Sequence, residues 1–87
     1  MNQVPPTLGR AETVTPRAEW DAGDMGCGEL VLELRQKMLE LRPGEYFRLI
    51  ARDPGAPEDL PAWCRMTGNR LVRADHPQYL IEKRKEP

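Results

Sequence analysis

Eighty-seven residues are enough for one small domain and no more. Thirteen lysines and arginines against 14 acidic residues leave a net charge of −1, so the bulk charge gives no reason to expect nucleic acid or a membrane surface as partner. Apolar residues form 39% of the chain, which allows a modest core between two packed layers, and no apolar run approaches the roughly 18 residues of a membrane span.

Met1 to Arg17 holds Pro5, Pro6, Gly9 and Pro16 among scattered apolar residues. Such a stretch buries too little surface to offset its ordering entropy and reads as a flexible tail. It lacks the basic start and apolar centre of a secretory signal, which places the protein in the cytoplasm with its two cysteines, Cys27 and Cys64, reduced. The folded domain is expected over residues 18–83, followed by a charged end at 84–87 that frays.

Within the domain, Ala18 to Ala22 reads as a short first strand around Trp20, and Gly23, Gly26 and Gly28 mark a loop. Leu30, Val31, Leu34, Met38 and Leu41 then recur at helical spacing, predicting a helix from about Gly28 to Leu41, with Glu33 and Lys37 paired on its outer face. Arg42-Pro43-Gly44 ends it. Glu45 to Ala51 alternates as a strand, with Phe47, Leu49 and Ala51 toward the helices and Tyr46, Arg48 and Ile50 on a wetter face. After the turn Asp53-Pro54-Gly55, a second helix is predicted over about Pro57 to Thr67, burying Leu60, Trp63, Cys64 and Thr67. Pro61 fits only if the hydrogen-bonded part begins near Asp59. Gly68-Asn69 stops the helix. Leu71-Val72 and Tyr79 to Ile81 close the domain as a hairpin through Asp75-His76-Pro77-Gln78. The order β-α-β-α-β-β predicts an α/β two-layer sandwich.

Cys27 follows a glycine-rich loop and precedes the first helical turn, where free amides and the helix dipole favour an anion. Two readings are open: a reactive thiolate able to accept and surrender a persulfide sulfur, or a small apolar residue at a helix start. Cys64 reads as a core thiol, or as a resolving partner for Cys27 in a redox switch. Asp53 reads as a turn residue bonded to its own backbone, or as a group orienting a nearby thiol. His76 reads as an exposed turn residue. The 37-position gap between the cysteines fits neither a CxxC pair nor a zinc half-site, so no metal and no cofactor is expected.

Asp53-Pro54-Gly55-Ala56-Pro57-Glu58-Asp59-Leu60-Pro61-Ala62-Trp63-Cys64 resembles the DP…D(I/L)P-(A/G)-(W/F)-C stretch of the TusA/SirA-like sulfur-carrier family. Pro43-Gly44-Glu45 and Asp21-Ala22 are similar to further family segments, and the resemblance spans about residues 19–83. The family's Cys-Pro-x-Pro motif is altered here to Cys27-Gly28-Glu29-Leu30, which keeps the cysteine and loses both prolines that would stiffen the first turn. The resemblance implies a four-stranded mixed sheet with two helices on one face. It implies a sulfurtransferase-type carrier with the persulfide on Cys27, and Asp53 and Cys64 at matched positions. On that reading the helix-start amides of Glu29 and Leu30, beside Gly28, are expected to hold the charge of the sulfur. The resemblance also implies a sulfur-donor protein, either a cysteine desulfurase or rhodanese-like, and a sulfur-acceptor protein. These would serve tRNA thiolation, cofactor maturation or sulfur oxidation. Separately, the protein is expected to be a monomer. The competing expectation is a non-catalytic binding or regulatory module that keeps the fold without efficient transfer.

Overall fold

The structure is a computed structural model that describes residues 15–85, so the tail expected at 1–17 lies outside the described residues except for its last three. Six elements follow one another: β1 (Ala18–Asp21), α1 (Cys27–Met38), β2 (Tyr46–Ile50), α2 (Ala56–Thr67), β3 (Arg70–Asp75) and β4 (Gln78–Glu82). The strands form one mixed sheet in the order β1-β2-β4-β3. β1 runs parallel to β2, whereas β4 is antiparallel to both β2 and β3. This is the α/β sandwich that the element order predicts, with the mixed sheet that the resemblance implies.

Strand alternation decides which face is covered. Phe47 stands opposite Ile81 and Leu49 opposite Tyr79, and all four are buried with Leu30, Leu34 and Met38 of α1 and Leu60, Trp63 and Cys64 of α2. The other face carries the half-buried Tyr46, Arg48 and Ile50. Leu80 and Glu82 are buried there too, and Glu82, 5% exposed, holds Arg70 Nε at 2.8 Å and Lys85 Nζ at 3.4 Å. In β3, Leu71 pairs with Ile81 but Arg73 pairs with Leu80, so Val72 is an extra residue. Without this bulge Arg73 would fall opposite Tyr79 on the core side; with it the guanidinium is turned to the open face.

The helices begin and end close to expectation. α1 starts at Cys27 rather than Gly28 and stops at Met38, with Leu39 closing the last turn through its amide; Leu41 still packs into the core from the following turn. Glu33 and Lys37 pair at 3.8 Å, and the same ammonium lies 4.7 Å from the centre of the Trp20 ring. α2 starts at Ala56, earlier than its two prolines suggested, and Pro61 lies inside it. A proline there leaves the carbonyl four residues back without its helical donor. That residue is Pro57, which is exposed. Gly68 ends α2 at φ 84°, the left-handed turn that a glycine adopts without a Cβ clash.

Both ends of the domain are tied to β2. Arg17 donates its amide to the Tyr46 carbonyl at 2.7 Å, and Lys83 donates its own to the Glu45 carbonyl at 2.8 Å. Lys83 Nζ reaches the Met38 carbonyl at 2.9 Å, and the Arg84 amide meets Asn69 Oδ1 at 2.9 Å.

Candidate functional site

Three loops meet at one end of the sheet. The Ala22 amide donates to the Ile50 carbonyl at 2.8 Å and the Arg52 amide to the Gly23 carbonyl at 3.0 Å, which joins the β1–α1 loop to the β2–α2 loop. The Ala51 amide donates to the Pro77 carbonyl at 2.8 Å, adding the β3–β4 turn. Asp21 reinforces the first junction by accepting from the Gly23 amide at 2.9 Å and from Arg52 at 2.8 Å; these two hydrogen bonds hold its carboxyl below the ordinary 3.8.

Cys27 is the first residue of α1, after an extended Gly26 (φ −68°, ψ 153°) that offers no side-chain cap. The thiol is half-buried. It donates to Asp53 Oδ2 at 3.1 Å, and the same oxygen accepts the Gly55 amide at 2.9 Å. Both sequence readings of Asp53, the backbone-bonded turn residue and the thiol's neighbour, therefore describe one side chain. A methyl group on Gly55 would lie 3.0 Å from Asp53 Oδ2, 3.3 Å from Asp59 Oδ2 and 3.9 Å from Cys27 Sγ. Two carboxylates and one sulfur thus converge on a glycine that leaves them room.

This convergence reverses one expectation. The helix start was expected to acidify the thiol, but burial and hydrogen bonds to the Asp53 and Asp59 carboxylates push it from 9.0 up to about 12. Burial, with the two carboxylates behind it, outweighs the partial charge of a helix terminus. The amide of Leu30 is also not available to an anion, because it donates to the Gly26 carbonyl at 2.8 Å. The amides without a helical acceptor are those of Cys27, Gly28 and Glu29. Leu30, in the predicted apolar stripe of the helix, points fully into the core.

Gly28 and Glu29 are exposed on the first turn. Cys64 is buried in the core cluster, where desolvation pushes its thiol up to about 11. Sequence reasoning missed two neighbours of the sulfur. Asp59 was read as the start of the hydrogen-bonded part of the second helix, yet its carboxylate also hydrogen-bonds the Cys27 thiol. Tyr79 was assigned to a strand, yet its phenol is raised first by burial and then by its proximity to Cys27. His76 is exposed in the turn and its Nδ1 hydrogen-bonds that phenol at 2.5 Å. Among the described residues no group of three or more histidine, cysteine and acidic side chains is arranged to hold a metal ion, and no helix is long and apolar enough to cross a membrane.

Fold and site together define a small two-layer α/β protein that presents one cysteine at the start of its first helix, against an acidic loop. Residues 18–83 match the family model described as sulfurtransferase TusA, and the chain belongs to that family. A sulfur carrier protein TusA of Pseudomonas syringae pv. tomato is 35% identical over 77 residues, covering 86% of this chain and 92% of the relative. Another, of Pseudomonas syringae pv. syringae, is 39% identical over 61 residues, covering 70% and 73%. A third, of Pseudomonas putida, is 36% identical over 59 residues, covering 68% and 74%.

Proposed function

We propose that this protein carries sulfur as a persulfide on Cys27, taking it from a donor protein and passing it to an acceptor. The observation that carries the reading is the half-buried Cys27 thiol, hydrogen-bonded at 3.1 Å to Asp53 at a helix start, in a chain of a family whose relatives are named sulfur carriers. At rest the sulfur is a neutral thiol, so it attacks with loss of its proton rather than as a standing thiolate. As Cys27 Sγ bonds to the terminal sulfur of the donor's persulfide, the donor's S–S bond breaks and its cysteine leaves as a thiolate. The thiol proton passes to Asp53, the group already placed to receive it. In the return step an acceptor nucleophile takes the terminal sulfur, the Cys27 S–S bond breaks, and Asp53 returns the proton to Cys27 as it leaves. The amides of Cys27, Gly28 and Glu29 face the developing negative charge. Both partners dock transiently at the end of the sheet where the three loops meet. Cys64, sealed in the core, takes no part.

Incubation with a small-molecule or protein persulfide donor is expected to add one sulfur atom to the wild type and none to Cys27→Ala, read by intact-mass spectrometry. Equal gain in both proteins would reject the assignment.

A further inference from the structure

α1 has 12 residues, so its last turn lies about 18 Å from the thiol at its start. At that far end, beside the last turn of α2, the buried Met38, Leu41 and Trp63 floor a groove of about 630 Å³. Leu39 borders it and is 59% exposed, which leaves most of an apolar side chain on the lip. The charged residues lining the groove are Arg35, Lys83 and Arg84; among the described residues no acidic side chain lines it. Two of these cations are held in place. Lys83 Nζ donates to the Met38 carbonyl at 2.9 Å and Arg84 Nη1 to the Thr67 carbonyl at 3.0 Å, so each neutralises the carbonyl end of one helix. The Arg84 amide donates to Asn69 Oδ1 at 2.9 Å. A methyl group on Gly68 would come within 3.3 Å of Arg84 Cδ, so the arginine stem lies close across the glycine that ends α2. An ammonium has three donors and a guanidinium five; both cations keep donors for a further acceptor. Arg35 is exposed near the end of α1.

We infer that this groove binds an acidic peptide segment of a partner protein, with one apolar side chain against Leu39 and Trp63 and flanking carboxylates on Arg35, Lys83 and Arg84. Charge selects the occupant. The chain's own residues 1–14 hold one arginine and one glutamate, no surplus of acid to answer three cations. A second copy would answer them with the end that carries Asp53, Glu58 and Asp59, and would cover its Cys27 in doing so. An alkyl carboxylate would leave most of its chain wet, because the floor side chains are already buried by the domain itself, whereas pockets for such ligands enclose most of the ligand's surface. A peptide needs one apolar contact and spaced carboxylates. Filled this way, the groove holds a partner at one end of the molecule and leaves the thiol at the other end free. The inference does not depend on what that thiol carries.

The test is a titration of the full chain with the peptide acetyl-Glu-Glu-Leu-Glu-Glu-amide, followed in nitrogen-15 amide spectra. Binding should saturate at roughly millimolar peptide, the level of one apolar anchor with a few exposed ion pairs. Signals of Leu39, Thr67 and Arg84 and of the Trp63 indole should shift together on one curve. Arg35→Glu should weaken binding at least about fivefold, and so should replacing the peptide's glutamates by glutamine. Arg35 is exposed, so its variant remains folded even if Arg84→Glu, which also loses the Thr67 contact, does not. Iodoacetamide should alkylate Cys27 at a rate within about twofold of that without peptide, since the separation exceeds the screening length in physiological salt. No saturable shift, shifts centred on the thiol loops or the open sheet face, slowed alkylation, or equal binding of the glutamine peptide overturns the inference. So do groove shifts that follow protein concentration without peptide, which mark a second copy as the occupant, and binding of decanoate but not of the peptide, which marks an alkyl carboxylate.

Discussion

Replacing Asp53 by asparagine should move two properties of Cys27 in opposite directions. The substitution keeps an oxygen that can accept from the Gly55 amide and from the thiol, the two bonds now at 2.9 and 3.1 Å, so the loop geometry survives. What is lost is the negative charge. The thiol now stands at about 12 instead of 9.0, with burial as the largest cause, followed by the hydrogen bonds to Asp53 and Asp59. Burial and Asp59 remain in the variant. Asp53's share is then near the lower end of what one adjacent carboxylate does, about one unit. At any fixed pH near neutrality the thiolate fraction should rise about tenfold, and iodoacetamide should alkylate Cys27 about tenfold faster, read by peptide mapping. Sulfur uptake should move the other way, falling by at least about tenfold, because an amide cannot accept the proton that leaves as the sulfur attacks. A parallel rise in both rates would refute the role given to Asp53 as proton acceptor. Unchanged alkylation would refute the electrostatic account of the thiol.

Cys64→Ala should take up sulfur like the wild type, since that thiol is 4% exposed; a loss of loading with the fold intact would show a direct part for it. Leu34→Ala removes a fully buried side chain from the α1–sheet contact and should cost about 3 kcal/mol, seen as a lower urea midpoint and a Tm lower by on the order of 15 °C. Glu82→Gln should cost about 1 kcal/mol at neutral pH. Burial raises the Glu82 carboxyl, but hydrogen bonds from Arg70 and Lys85 outweigh it and leave it below 4.5. Its contribution is therefore present above pH 4.5 and is lost as pH falls through the lowered folded value. The stability gap between wild type and variant should close on the acid side, as followed by urea titrations across pH.

The elements were legible because each announces itself locally. Leu30, Leu34 and Met38 repeat at helical spacing and are the buried stripe of α1; Phe47 and Leu49 alternate and are the buried face of β2. Gly68 marks the end of α2 because the position needs a left-handed backbone. β3 is longer than Leu71-Val72 because its remaining positions are exposed on a sheet edge, where the ladder to β4 holds the strand without apolar side chains. The chemistry of the site was less legible. Cys27 could be singled out from its glycines, but the sign of its thiol's shift depends on Asp53 and Asp59, which lie 26 and 32 positions away along the chain. Nothing local says that an acidic first turn of one helix faces the first turn of another. The Tyr79–His76 hydrogen bond was not anticipated either, because the two residues fit a strand and a turn by composition.

The strand order has a consequence for how the molecule is made. β4, the last strand to be synthesised, lies between β2 and β3 and supplies Tyr79 and Ile81 to the core. A chain that stops before Gln78 holds a parallel pair, two amphipathic helices and an edge strand with no neighbour. The domain therefore cannot fold from its N-terminus while it is being translated. Its sheet closes only when β4 is present, and a chain truncated before Gln78 would have a gap through the middle of that sheet.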